Sequence, residues 1–239
     1  MRDESIFKLI KEDFLLPAKI DPALKSKFEL LFNYPGVWAI IHYRLAHWLY
    51  KKGFKVVARM LMGITQILTN IDIHPEAKIG RRVFFDHAFG VVIGQTAIIG
   101  DDVLIYQGVT LGGVSLQRDI KRHPTIENSV VIGAGAKILG NITIGENSRI
   151  GSNSVVVKNV PKDSTAVGIP ARVVTKGRDK NPLSHNKLPD INKELFIYLG
   201  KRIELLEKII QDTNKDVELE KQDMELEHIY ENFIKTLKD

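Results

Sequence analysis

Between Ile73 and Val160 an apolar residue returns at every sixth position over long stretches of the chain. The clearest run is Ile126, Ile132, Ile138, Ile144, Ile150 and Val156. Four places behind each stands a second residue, usually small or β-branched: Val130, Ala136, Ile142, Ser148, Ser154 and Val160. A helix drifts off such a frame within two turns, and a plain strand alternates every two residues. A period of six fits short extended segments joined by corners, three to a coil, stacked into a triangular parallel β-helix with the frame residues pointing inward. Gly, Asn and Asp suit the corners, and Gly133, Asn141, Gly145 and Gly151 are spaced for them. A sandwich would also show many short strands, but it has no need of six consecutive frame matches.

The same frame starts earlier, as Ile73, Ile79 and Phe85 with followers Ala77, Val83 and Phe89, and resumes as Ile93, Ile99, Ile105 and Leu111 with followers Ala97, Val103 and Val109. Two extra residues are therefore expected between Phe89 and Ile93, a remodelled corner next to His87. One long interruption follows Gly112-Gly113. Residues 114–124 fit no frame, and a polar, basic loop thrown out of a repetitive scaffold points to binding, the alternative being a merely solvated loop.

Helical patterns flank the repeat. Residues 1–70 are expected to form an N-terminal α-helical domain. It has an apolar stripe of Ile6, Leu9, Ile10 and Phe14 ended by Leu16-Pro17, a helix over 22–33 capped by Asp21-Pro22, and helices over about 37–51 and 54–69. The last of these carries Val57, Leu61, Ile64 and Leu68; His42, Arg44 and His47 read as packing residues. The β-helix is expected over 71–176, a linker over 177–189 and a helical extension over 190–239. The extension carries stripes of Leu195, Leu199, Ile203, Leu206 and Ile210, then Leu226, Ile229, Phe233 and Leu237.

Composition narrows the function. The 239 residues are 44% apolar with no Cys, so disulfides and thiolate ligands are out. No apolar run reaches membrane-spanning length, and Met1-Arg2-Asp3-Glu4 lacks a secretory leader's pattern, which makes a cytoplasmic protein the expectation, with no membrane partner. The net charge of +5 is mixed with acids almost everywhere, unlike the basic stripe of a nucleic-acid binder. No HxxH or HExxH cluster suggests a metal, and no GxxxxGK[ST] or GxGxxG motif suggests a nucleotide fold. What remains is a base and its orienter. Asp72 and His87 are fifteen residues apart, slightly less than one coil, so both are expected near one corner on adjacent levels. An imidazole held there by a carboxylate takes a proton from a hydroxyl near neutral pH. Asp86, with Arg122 and His123 from the loop, would complete a pocket of both charge signs that suits an amino acid. The plainer alternative for Asp72 is a turn residue.

Several strings resemble the serine O-acetyltransferase family: Asp72-Ile73-His74-Pro75, Asp86-His87, Val109-Thr110-Leu111-Gly112-Gly113, Arg122-His123-Pro124, Ile132-Gly133-Ala134-Gly135-Ala136 and Gly168-Ile169-Pro170-Ala171-Arg172. The resemblance runs back through Tyr43-Arg44-Leu45-Ala46-His47-Trp48 to Asp21-Pro22-Ala23, covering about residues 21–176. It implies a left-handed β-helix and transfer of acetyl from acetyl-CoA to the hydroxyl of L-serine, feeding cysteine synthesis. His87 would be the general base with Asp72 orienting it, and Asp21, Asp86, Arg122 and His123 would hold serine. Gly112, Gly113, Ala134 and Ser152 would line the passage for CoA between subunits of a homotrimer, with Arg149, Arg172 and Lys176 available for its phosphates. No metal is implied. Three features depart from the family: the loop 114–121 is bulkier than the usual Gly-rich one, Gln95 stands where Glu is more frequent, and the N-terminal helical region is shorter than in hexameric members. The final Leu237-Lys238-Asp239 lacks the terminal Ile by which many members engage cysteine synthase, which argues against that partner's usual grip. Feedback inhibition by cysteine is an expectation of the resemblance. The rival readings are acetylation of a sugar or homoserine and a non-enzymatic assembly module.

Overall fold

The inward ladder closes into a prism with three parallel faces. The computed structural model describes residues 5–176 and 191–213, which fall into separate units divided between Leu188 and Pro189. Three strands make each coil of the left-handed solenoid. One face carries β1 (Asp72–Ile73), β4 (Val92–Ile93), β7 (Thr110–Gly112), β10 (Lys137–Leu139) and β13 (Val155–Val156). The second carries β2 (Lys78–Ile79), β5 (Ile98–Ile99), β8 (Thr125–Ile126) and β11 (Thr143–Ile144). The third carries β3 (Phe84–Asp86), β6 (Leu104–Tyr106), β9 (Val131–Ile132), β12 (Arg149–Ile150) and β14 (Ser164–Gly168), closed by antiparallel β15 (Ala171–Lys176). Ile73, Ile93, Leu111, Ile138 and Val156 stack at the centre of the first face, each at most 1% exposed. Burying each such side chain is worth about 1.5–3 kcal/mol.

Register shows where the chain departs from the repeat. In the upper coils Thr125 pairs with Thr143 and Lys137 with Val155, a rise of 18 residues per coil. Lower down, Asp72 pairs with Val92 and Phe84 with Leu104, two residues more. Ile98 pairs with Thr125 and Thr110 with Lys137, nine residues more. Because Asp86 pairs with Tyr106 while Val92 pairs with Thr110, the two extra residues lie between Asp86 and Val92. They are His87 and Ala88, both left-handed with φ of 56° and 65°. The insertion thus precedes Phe89, which is 57% exposed instead of pointing inward, and Val91 takes the buried place. The other nine residues lie in the loop over 113–124.

Corner chemistry also differs from the expectation in its cause. Left-handed backbone at the stacked corners falls mainly to Asp102, Ser129, Asn147 and Asn153, with Gly108 and Gly135. Gly133 and Gly145 have ordinary φ and are needed for space. A Cβ on Gly145 would sit 2.4 Å from the Lys162 amide nitrogen, and one on Gly133 would sit 2.7 Å from that of Ser152.

The helices cover the open first coil. Helix α1 (Ile6–Leu15) gives way at Leu16 to the single turn α2 (Pro17–Ile20). The expected helix over 22–33 does not form. Asp21 ends α2, with its two carboxylate oxygens accepting the Ala23 N–H at 2.7 Å and the Tyr34 hydroxyl at 2.7 Å, so it makes a turn where a helix cap was expected. A short 3-10 helix, Lys27–Leu31, follows, capped by Ser26 and Glu29. Helices α3 (Pro35–Lys51) and α4 (Lys55–Thr69) complete the cap. Gly36 lets α3 approach β3, since a Cβ there would lie 2.4 Å from the Phe85 carbonyl oxygen. On α4 the buried side is Ala58, Met62, Thr65 and Thr69. Val57, Ile64 and Leu68 of the expected stripe face outward together with Val56, Met60 and Ile67. The inner side, mostly small residues, packs closely, and the apolar stripe is left uncovered.

Two side chains of α3 satisfy the backbone of the first coil. The Tyr43 hydroxyl donates to the Ala77 carbonyl at 2.6 Å and accepts the Ile79 N–H at 3.1 Å. Arg44 donates to the Ile79 and Gly80 carbonyls at 2.7 and 2.6 Å while pairing with buried Asp13 at 2.8 Å. His42 and His47 are spent on Thr65 and the Pro75 carbonyl. In the second unit, helix α5 (Ile191–Thr213) leaves Leu195, Leu199, Ile203, Leu206 and Ile210 exposed. The expected linker over 177–189 and the stripe from Leu226 to Leu237 lie outside the described residues. Among the described residues no helix is long and apolar enough to cross a membrane.

Arg44→Ala strands the Asp13 carboxylate and two strand-end carbonyls in the interior, so chemical denaturation is expected to show a loss of about 3–5 kcal/mol. Replacing Asp13 and Arg44 together by apolar residues of similar volume should recover most of it.

Candidate active site

The two insertions lie at two different edges of the first face. At one edge, where the third face turns into the first, β3 ends in Asp86 and the inserted His87 and Ala88 form the corner. The turn is tight: the Ala88 N–H donates to the Asp86 carbonyl at 2.6 Å and the Phe89 N–H to the His87 carbonyl at 2.9 Å. Backbone in this sparsely populated region costs energy and is concentrated at functional corners. It swings the His87 side chain outward, leaving it 74% exposed, with Nε2 4.0 Å from the Asp86 carboxylate. Asp72 opens β1 at the same edge one coil below, its N–H bonded to the Val91 carbonyl, and no hydrogen bond joins it to His87.

Acids and phenols gather around this corner. Asp21 reaches it from the end of α2, held by Tyr34, and Tyr106 stands beside Asp86 in register. Burial, and then the nearby charge of Asp21, push the Asp86 carboxyl up, against the pull of His87. Burial pushes the Tyr106 phenol up as well, reinforced by both acids, and the Tyr34 phenol rises through burial and its bond to Asp21. A positive group arriving here would relieve the repulsion between Asp21 and Asp86. Neither Tyr34 nor Tyr106 carries a sequence signal for the site, since an isolated Tyr has no periodicity; only the register that sets Tyr106 beside Asp86 reveals it.

At the opposite edge, where the first face turns into the second, the long loop folds back onto Gly94, Gln95 and Thr96. His123 is 8% exposed. Its Nδ1 accepts the Thr96 N–H at 3.2 Å, which assigns the proton to Nε2. Burial, then the neighbouring Arg122 and Lys121 charges, push its imidazole down, so it stays a neutral donor at ordinary pH. The Thr96 hydroxyl oxygen accepts the backbone N–H groups of Arg122 and His123 at 3.0 and 3.1 Å, pinning the loop end. Arg122 donates to the Gln95 side-chain carbonyl at 2.8 Å and to the Gln117 carbonyl at 3.1 Å, beside a groove of about 380 Å³ lined by Glu76, Gln95, Thr96 and Lys121. Gly94 makes room for this ring, because a Cβ on it would fall 1.9 Å from the His123 side chain.

The residues considered for CoA fall at these two edges or on the third face. Gly112 and Gly113 stand at the loop edge, Ala134 and Ser152 at the His87 edge two and three coils higher, and Arg149, Arg172 and Lys176 on strands of the third face. Within one chain, therefore, Asp21, Asp72, Asp86 and His87 come together, as do Arg122 and His123, and the width of a face separates the two groups. The single pocket expected from the sequence is not formed within one chain. Among the described residues no group of three His, Asp or Glu side chains is arranged to hold a metal ion.

Residues 123–158 match the model of the bacterial transferase hexapeptide family, which spans six repeats. A serine acetyltransferase of Synechococcus elongatus is 49% identical over 210 residues, spanning 87% of this chain and 86% of that protein. Among solved structures, serine acetyltransferase of Neisseria gonorrhoeae in complex with serine superposes with a TM-score of 0.68 at 42% identity, over 72% of this chain and 70% of that one. Serine acetyltransferase of Brucella abortus in complex with coenzyme A gives a TM-score of 0.68 at 42% identity, over 72% and 68%.

Gly94→Ala is expected to expel the His123 ring from its pocket. A ring released into water loses the burial and charge that lower its pKa, so its titration, followed by NMR of the imidazole protons, should move upward towards about 6.5. An unmoved titration would show that the ring tolerates the methyl group.

Proposed function

The chain belongs to the serine acetyltransferase family, and we propose that it carries out that family's reaction at a site completed by two subunits. It transfers the acetyl group of acetyl-CoA to the hydroxyl of serine, giving O-acetylserine and CoA, the first step of cysteine biosynthesis. The observation that carries the two-subunit reading is the separation of exposed His87 from Arg122 and His123 by a whole face. A general base open to water needs a second surface to exclude solvent and present the substrate. A neighbouring copy set with its loop edge against this His87 edge supplies that surface. The uncovered apolar stripe of α4 favours such assembly, since soluble monomers rarely leave large apolar patches bare. A homotrimer, in which each copy offers one edge and receives the other, closes the arrangement.

In this site Asp21 and Asp86 hold the serine ammonium, while Arg122 of the adjoining copy pairs with the carboxylate and His123 donates from Nε2. His87 takes the hydroxyl proton, with Asp72 assigned to orient its ring. The serine oxygen attacks the thioester carbonyl, forming the C–O bond. Collapse of the tetrahedral adduct breaks the C–S bond, and the departing CoA sulfur takes the proton back from His87. The transfer is proposed to be direct, as the family resemblance implies, and with no Cys in the chain a thiol relay is not available. Gly112 and Gly113 of one copy and Ala134 and Ser152 of the other are proposed to leave the pantetheine arm room beside the backbone, with Arg149 and Arg172 facing the phosphates.

Purified protein given acetyl-CoA should release CoA thiol with L-serine and far less with sugars or homoserine; a sugar or homoserine outrunning serine would reassign the acceptor. His87→Ala should lower kcat by about 10²–10⁴-fold while leaving the assembly intact. Co-expressed His87→Ala and Arg122→Ala subunits should regain up to about one quarter of the unsubstituted activity, the share of sites that receive both intact edges in a random mixture. No recovery above either variant alone would put both halves in one chain.

A further inference from the structure

A chain of hydrogen bonds runs from helix α3 to Arg122. The Tyr50 hydroxyl donates to Glu76 Oε2 at 2.7 Å, Gln95 Nε2 donates to the same oxygen at 2.8 Å, and Gln95 Oε1 accepts from Arg122 Nη2 at 2.8 Å. The direction of every link is determined. Glu76 beside it pushes the Tyr50 phenol up to about 12, so the hydroxyl keeps its proton and donates. Burial pushes the Glu76 carboxyl up, but the bonds from Tyr50 and Gln95 outweigh it and hold the carboxyl below its ordinary value, an ionised acceptor. Gln95 must then turn its NH₂ towards Glu76, which leaves its carbonyl for Arg122.

We infer that Glu76, acting through Gln95, is a positioning residue that aims the Arg122 guanidinium at the carboxylate of the amino-acid substrate. This rests on the reading of Arg122 as the carboxylate partner. An amide is suited to the link because it passes the orienting effect of an anion to Arg122 without pairing with it directly. With Glu76 already in place, a Glu at 95 would set two carboxylates against each other at a 2.8 Å contact and break the link. Gln95 and Gln117 occupy two of the five guanidinium donors, and the others remain for a two-pronged contact. The negative charge therefore sits one residue back from the site, on Glu76, anchored to the helical cap by Tyr50.

The test is steady-state kinetics of the full-length enzyme with serine varied at saturating acetyl-CoA. Gln95→Leu cuts the chain next to Arg122 and should raise KM for serine about tenfold with kcat changed less than about twofold, because the guanidinium loses the charge-assisted bond that holds it in the pose to meet the substrate carboxylate. Gln95→Glu alone should also raise KM. The double exchange Glu76→Gln with Gln95→Glu rebuilds an unbroken chain, with residue 76 now donating to 95, and should bring KM below that of Gln95→Glu alone. A Gln95→Leu enzyme with unchanged KM would overturn the positioning role. If that variant fails to fold, as judged by its melting curve, the exchange pair decides: a double variant no better than Gln95→Glu also overturns it. Absence of serine turnover in the unsubstituted enzyme would instead remove the serine reading itself, and this role with it.

Discussion

Everything in the solenoid depends on the parallel ladder that binds each strand to its counterpart one coil away. Because side chains alternate across a strand, a shift of one residue on any face would turn the inward row of Ile, Val and Leu out to solvent. Extra residues are therefore admitted only at corners, where both neighbouring strands keep their register. The two-residue corner at His87 and Ala88 and the nine-residue excess in the loop are the two places where the chain lengthens a coil. Both carry reactive side chains for the same reason: a corner residue has no ladder to serve, and the rigid strands on each side fix its position.

This constraint also explains what could be read in advance. The frame from Ile126 to Val156 reported the fold because every frame residue meets a like residue in at least one adjacent coil, a pattern visible in one dimension. The corner at His87 was recognised as irregular, but the extra residues were placed after Phe89. Periodicity counts residues between frame positions and does not say which of them carry the left-handed backbone. The helical cap was harder. Asp21-Pro22 has the composition of a helix start, and its carboxylate was drawn instead to the Tyr34 hydroxyl, a contact thirteen residues away that no local rule anticipates. On α4 the apolar stripe was legible while its direction was not, since a sequence shows which residues prefer burial and leaves open whether the covering surface belongs to the same chain.

The candidate site could be named from the sequence as a set of residues but not as a geometry. Asp72 and His87 were assigned to one edge from coil length alone, and they share it. Asp86 and Arg122 were grouped because their charges complement each other, yet charge carries no information about which of three edges a residue occupies. Counting strands from the loop would have separated them: Arg122 and His123 immediately precede a strand of the second face, whereas Asp86 ends one of the third. The supporting residues Tyr34, Thr96, Gln95 and Glu76 carry no site signal in the sequence, because their roles lie in hydrogen bonds to residues distant along the chain.

The electrostatics of the two edges bear on the acceptor. One edge concentrates Asp21 and Asp86, and burial, with a lesser push from Asp21, already raises the Asp86 carboxyl. The other presents Arg122, with a neutral His123 beside it. Bringing such edges together across an interface desolvates both, and each charge then needs a partner. On the two-subunit reading, an amino-acid zwitterion supplies both partners at once, with its ammonium on the acidic edge and its carboxylate on the basic one. An uncharged sugar would leave the same groups buried and unpaired, a cost that a site built to bind charge imposes on ligands without it. Selectivity for an amino acid over a sugar then follows from which edge of the prism holds which sign, and discrimination between serine and its longer homologue is left to the distance from those charges to the imidazole of His87.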